Sequence, residues 1–171
     1  MKIAILSDSH DNIPNLRAAV DYCNKIGIIM LIHCGDLISP FMLLEMARFN
    51  GAVHLVYGNN VGDQHLISQS CGTKFPSISH HGTLGAVEAG GLRIAITHYP
   101  EMARGLVAKG SFDVVCCGHN HRYQVEDSDG SLLINPGELM GMDGQPTFSV
   151  LDCASRTVEK VETGRPLFPE A

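Results

Sequence analysis

Seven side chains able to hold metal ions recur in five short motifs. They are Asp8 and His10 in Asp8-Ser9-His10, Asp36 after Gly35, Asn59 after Gly58, the lone His98, and His119 and His121 in Gly118-His119-Asn120-His121. Carboxylate oxygen, carboxamide oxygen and imidazole nitrogen together form a mixed N/O donor set suited to divalent transition metals. Each motif alone has an ordinary explanation. Asp8-Ser9-His10 could be a helix-capping loop, Asp36 a cap, Asn59-Asn60 a turn, and His119 and His121 alternate residues sharing a strand face. The set matters because every motif directly follows a short apolar run.

Those runs define the elements that must position the donors. Lys2–Ser7, Ile28–His33 and Ala52–Tyr57 read as buried strands. A helix begins near Pro14, carries Leu16, Ala19, Val20 and Cys23 at helical spacing, and ends at Gly27. A second helix starts at Ser39-Pro40, with Phe41, Leu44, Met46 and Ala47 on its apolar side. This β-α-β-α-β opening predicts a parallel sheet with helices on its faces. Downstream, Ser77–His81, Gly85–Ala89 and Leu92–Thr97 read as strands joined by Gly-rich turns, followed by a helix over Pro100–Lys109 and a strand over Asp113–Cys117. Tyr123–Asp127 and Leu132–Asn135 flank the hairpin signal Asp129-Gly130, and Thr147–Cys153 pairs with Thr157–Glu162. So many strands after a βαβ opening predict two packed sheets with helices outside. Every candidate donor then lies at a strand's carboxyl end, where α/β sheets form ligand crevices.

The 171 residues suit one domain, with no repeat or linker to divide residues 1–171. Hydrophobic residues make up 44% and charged residues 18%, a globular balance. Twelve Lys and Arg against 18 Asp and Glu leave a net charge of −6, which argues against a nucleic-acid or anionic-membrane surface. No apolar run approaches the roughly 20 residues of a spanning helix, and the first residues lack the apolar stretch of about 7–15 residues of a secretion signal. The six cysteines form no C-x-x-C pair and read as reduced, mostly buried thiols. The expected location is the cytoplasm. A homo-oligomer is compatible with the sequence but not specified by it.

Taken in order from residue 8 to residue 121, the five motifs resemble the signature of the calcineurin-like metallophosphoesterases. Asn135-Pro136-Gly137 resembles a turn common in the family's short bacterial and archaeal members, which are single-domain phosphodiesterases. The resemblance implies an α/β fold of two mixed β-sheets packed as a sandwich and flanked by helices, in four layers (α-β-β-α). It implies two divalent ions drawn from Mn, Fe, Ni and Zn, with Mn favoured. Asp8, His10 and His121 would hold the first ion, and Asn59, His98 and His119 the second, with Asp36 bridging. Asp36, Asn59, Asn60 and His98 are the expected catalytic positions. The implied reaction is in-line attack on a small phosphodiester by a hydroxide held between the metals. Alternatives are a phosphomonoesterase or nucleotidase on the same site, and a non-catalytic scaffold like the retromer subunit that resembles this family. The full set of coordinating side chains favours the enzyme.

Three positions depart from the family pattern and bear on substrate choice. Asn60 replaces a His that contacts phosphate, and it cannot act as a general acid. Tyr99 follows His98 where Gly is usual, adding bulk and a hydroxyl. Glu138 follows the Asn-Pro-Gly turn where Ser is common, and a carboxylate near the site would disfavour a highly charged monoester. Among the remaining residues, His33 is read evenly as orienting a ligand or as strand-end packing. His54 reads as structural, His65, His80 and His81 as surface or crevice residues, and Arg17 and Arg122 as solvated.

Overall fold

The computed structural model describes residues 1–128 and 130–168, so Asp129 of the expected hairpin signal lies outside the described residues. Among these residues a six-stranded sheet comprises β1 (Lys2–Leu6), β2 (Met30–His33), β3 (Ala52–Leu55), β4 (Ile78–His80), β10 (Thr147–Asp152) and β11 (Thr157–Glu162). Its order is β11-β10-β1-β2-β3-β4, with β1 to β4 parallel. The second sheet holds β5 (Leu84–Ala89), β6 (Leu92–Thr97), β7 (Val114–Cys116), β8 (Tyr123–Ser128) and β9 (Ser131–Pro136), ordered β5-β6-β7-β9-β8. Its central strands β6, β7 and β9 are parallel, and both edges are antiparallel.

Strand alternation builds the layers. In β1, Ile3 and Ile5 face one way and Ala4 and Leu6 the other. Ile3, Ile5 and Ile32 meet Ile94, Ile96 and Ile134 in the layer between the sheets, all fully buried. Ala4, Leu6, Leu31 and Val53 pack outward against helices α1 (Ile13–Lys25) and α2 (Met42–Met46). Ala95, Val115 and Leu133 pack against Ala103 and Val107 of α4 (Pro100–Lys109). Each such side chain contributes roughly 1.5–3 kcal/mol on burial, and the result is the expected four-layer sandwich.

Local signals set the helices. The Asn12 side chain caps α1 by accepting from the Asn15 N–H at 3.1 Å. Pro14 lies in the first turn, and Gly27, at φ 74°, lets the chain leave the helix. Helix α2 differs from expectation. It begins only at Met42, and packing against α1 buries Met42, Leu43 and Met46 while Phe41, Leu44 and Ala47 are exposed. Helix α3 (Gln64–Ser70) was not foreseen, because only Ile67 among its apolar residues is buried and no periodic stripe announces it. Its cap is Asp63, which accepts from the Leu66 N–H at 2.9 Å. The strands expected at Ser77–His81 and Gly85–Ala89 form, but in different sheets. β4 joins β3 and β5 joins β6, so the chain changes sheet across 81–83. No helix of the described residues is long and apolar enough to cross a membrane.

Candidate metal centre

The parallel strands of both sheets deliver their carboxyl ends to one rim. β1 leads to Asp8 and His10, β2 to Asp36 and β3 to Asn59 from the first sheet. β6 leads to His98, and β7 to His119 and His121, from the second. The loops are cross-tied: Asp8 N–H donates to Gly35 O, His10 N–H to Asp36 O, and Gly118 N–H to His98 O, at 3.0–3.1 Å. Asp8 (φ 53°), His10 (40°), Asp36 (54°), His119 (75°) and His121 (59°) all adopt left-handed backbone. Such residues cost of order 1 kcal/mol or more each, and they persist where the surroundings over-determine them. Two neighbours must be glycine. A Cβ at Gly58 would fall on the Asp36 carboxylate, and one at Gly118 on Ser7 and Asp8.

All seven expected donors converge. Asp8 Oδ1 lies 3.7 Å from His10 Nε2 and 3.5 Å from His121 Nε2. Asp36 Oδ2 lies 3.4 Å from His10 Nε2 and 3.6 Å from His98 Nε2. Asn59 Oδ1 lies 2.8 Å from His98 Nε2 and 2.7 Å from His119 Nδ1. Ligand bonds of about 2.1 Å place neighbouring donors about 3.0–3.4 Å apart, close to these spacings. Two metal-competent triads result, Asp8–His10–His121 and Asp8–Asp36–His98, so Asp8 as well as Asp36 reaches toward both sides of the centre. Asp8 Oδ1 and His10 Nε2 are buried with no hydrogen-bond partner among the described residues. Each such orphan costs about 1–3 kcal/mol, and a bound cation would satisfy both. The residues therefore fit divalent metal.

The surrounding electrostatics keep negative charge at the centre. Burial pushes the Asp8 carboxyl up. Contacts with His10, His121 and Ser7, and the charge of His98, more than offset this and hold it well below the usual range. The Asp8 contact raises His121 against its own desolvation, helped by Glu138 and Asp143. His98 donates from Nδ1 to Cys34 O at 2.9 Å, which leaves the Nε2 lone pair directed at the cluster.

Several residues orient the donors. His33 is fully buried, and burial pushes it down to about 4. It accepts from Gly35 N–H at Nδ1 and meets Ser9 Oγ at 3.1 Å, linking the Asp8 and Asp36 loops. Asn135 donates from Nδ2 to Gly118 O and Asn120 Oδ1, both at 2.8 Å, and so braces the His119–His121 loop. Glu138, the carboxylate expected near the site, is buried and places Oε2 3.4 Å from His121 Nδ1, against one of the candidate ligand rings. Its position beside the Asn-Pro-Gly turn was legible in the sequence, but its partner was not. Asn60 donates its backbone N–H to Asp36 Oδ1 at 2.8 Å and its amide to Asp36 Oδ2 at 2.6 Å.

Other singled-out residues lie apart. Arg17 pairs with Glu45 at the surface, and Arg122 is exposed, with its backbone N–H on Asn120. His54 and His81 pair through ring nitrogens at 3.0 Å, His80 stacks on Tyr57, and His65 is exposed.

Known proteins resemble this chain in sequence and fold. The model of the calcineurin-like phosphoesterase superfamily domain matches residues 1–156. A phosphodiesterase of Methanocaldococcus jannaschii is 33% identical over 167 residues, covering 94% of this chain and 98% of its own. The solved structure of an archaeal phosphodiesterase superposes with a TM-score of 0.88 at 33% identity, over 95% of this chain and 99% of that one. Vacuolar protein sorting 29 of Cryptosporidium parvum shares the fold, with a TM-score of 0.64 at 18% identity over 94% of this chain and 96% of that one. The family match over nearly the whole chain and a relative 33% identical along almost its full length agree: this protein belongs to the calcineurin-like phosphoesterase superfamily.

Proposed function

We propose that the protein is a dinuclear, metal-dependent phosphodiesterase formed by a single domain over residues 1–171. Asp8, His10 and His121 hold one ion, Asn59, His98 and His119 the other, and Asp36 lies between them. The observation that carries this reading is the Asp36 carboxylate, whose Oδ2 stands 3.4 Å from His10 and 3.6 Å from His98, one histidine from each set. The match to an archaeal phosphodiesterase, in sequence and in structure, runs along almost the full chain and supports the substrate class.

When bound, two divalent cations supply Lewis acidity, lowering the pKa of water and neutralising charge on the phosphoryl group. The chain's residues prepare the site for this. Asp36 lowers the repulsion between two cations, and the neutral Asn59 ligates without adding negative charge, so the centre stays positive for an anionic ester. Asn60 fixes both oxygens of Asp36. His98 keeps its proton on Nδ1, and Glu138 holds His121. Imidazole-rich ligation suits Mn, Fe, Ni or Zn, with Mn favoured, better than Mg. The six cysteines are unpaired, which supports the reading of a reducing compartment, and we propose the cytoplasm. The complete donor set weighs against a purely structural role of the scaffold kind.

The test is elemental analysis with hydrolysis assays. Protein purified without chelator contains more than one equivalent of transition metal and cleaves an aryl phosphodiester. Protein that binds none of these metals after incubation with each would refute the reading.

A further inference from the structure

Tyr99 occupies a position that its helix does not explain. It is the N-cap of α4, where a side chain ordinarily accepts from a free backbone N–H, yet it makes no such bond. Ser, Thr, Asp or Asn there would stabilise the helix. The ring instead stands beside the Asn59–His98–His119 corner. Its centroid lies 5.3 Å from that of His98 and 5.6 Å from that of His119. Tyr99 is half-buried, and its hydroxyl has no hydrogen-bond partner among the described residues. His119 and Asn59, the donors beside it, are themselves exposed, so this corner is open to a ligand.

Asn60 sharpens the point. Its backbone N–H and side-chain amide are both engaged with Asp36. At most one N–H of the Asn60 amide is then left for substrate, and the unclaimed Tyr99 hydroxyl adds a second neutral donor at this end of the centre.

We propose that Tyr99 is a substrate-contacting, specificity-determining residue. Its Oη–H donates a hydrogen bond to a phosphoryl oxygen of a phosphodiester seated at the Asn59–His98–His119 corner, and its ring restricts that side of the site to small ester substituents. This rests on the reading of the seven residues as metal ligands. The phenol keeps its proton throughout, and no bond to it forms or breaks.

Tyr99→Phe removes the hydroxyl and keeps the ring, whereas Tyr99→Gly removes both. Orthophosphate is the probe, titrated by calorimetry into protein loaded with Mn. Metal content and Mn affinity of both variants match those of the starting protein. Orthophosphate binding weakens about tenfold in Tyr99→Phe, the loss of one hydrogen bond to an anion. KM for an aryl methyl phosphodiester rises by a similar factor while kcat changes less. Tyr99→Gly loses the same phosphate affinity and gains turnover of a bis-naphthyl diester relative to the aryl methyl diester. Wild-type orthophosphate affinity and KM in Tyr99→Phe would overturn the hydroxyl's role, and unchanged size selectivity in Tyr99→Gly would overturn the ring's. Starting protein that takes up no metal would instead overturn the ligand assignment, and this proposal with it.

Discussion

Glu138 Oε2 stands 3.4 Å from His121 Nδ1, while His121 Nε2 stands 3.5 Å from Asp8 Oδ1. The imidazole thus has a carboxylate beside each of its two nitrogens, an arrangement in which outer partners of metal-binding histidines typically change affinity about 10–100-fold when removed. Glu138→Gln is expected to weaken Mn binding at this side by that factor. The fold survives, because the glutamine carbonyl still accepts from the Asp143 N–H, which Glu138 Oε1 holds at 2.7 Å. Calorimetric titration with Mn and circular dichroism read the two effects separately.

Asp36→Asn removes the negative charge between the two histidine sets. Phosphodiesterase activity is expected to be abolished with the far-UV spectrum unchanged. His98→Ala is expected to release the second equivalent of metal and to collapse turnover as well. Near-normal diester hydrolysis by Asp36→Asn would show that the carboxylate does not lie between two ions.

Asn60 bears on both activity and selectivity. Asn60→Ala leaves the backbone N–H on Asp36 but removes the amide, and kcat/KM for an aryl diester is expected to fall about 10- to 100-fold, as for loss of a hydrogen bond to a charged group. The starting protein is expected to cleave an aryl diester faster than the matching monoester. Asn60→His introduces a group able to donate a proton to a departing oxygen, an effect typically worth about 10²–10⁴-fold. It is expected to raise the monoester rate more than the diester rate. Paired assays on the two esters report the ratio directly.

His33 makes stability depend on pH. Burial pushes its folded value down to about 4 from an ordinary 6.5, so the folded state prefers the neutral ring. The stabilisation is present above pH 6.5 and is lost as pH falls from 6.5 toward 4, where the unfolded chain takes up the proton first. At 1.36 kcal/mol per pKa unit, this amounts to about 3 kcal/mol. Urea unfolding of chelator-treated protein across that window should show the decline, and His33→Gln should make it shallower without abolishing it, because burial also pushes His80 down to about 4.

Much of the fold was open to sequence reading because its signals are local. Ile3 and Ile5 alternate with Ala4 and Leu6, which specifies a strand buried on both faces. Asn12, Pro14 and Gly27 bound α1 by backbone chemistry alone. Helix α3 carries no such local signal, because a seven-residue element that buries only Ile67 and Ser70 has no periodic signature. The buried face of α2 is not legible in the same way, because four consecutive apolar residues, Phe41 to Leu44, cover every side of a helical turn, and packing selects Met42 and Leu43 over Phe41 and Leu44.

Residue type and position after strands determined the seven candidate donors, since metal ligation needs those atoms and strand ends bring them to one rim. The sequence also carried the departures at Asn60, Tyr99 and Glu138. What each of these does depended on contacts between residues far apart in the chain. Glu138 lies seventeen positions beyond His121, yet the return of β9 brings it against that ring. Asn60 reaches back across 24 positions to both oxygens of Asp36. Tyr99 meets His119 only because β6 and β7 run parallel, ending side by side. Pairings of this kind follow from strand order and loop course, which local patterning does not encode, and so the tertiary structure alone decided them.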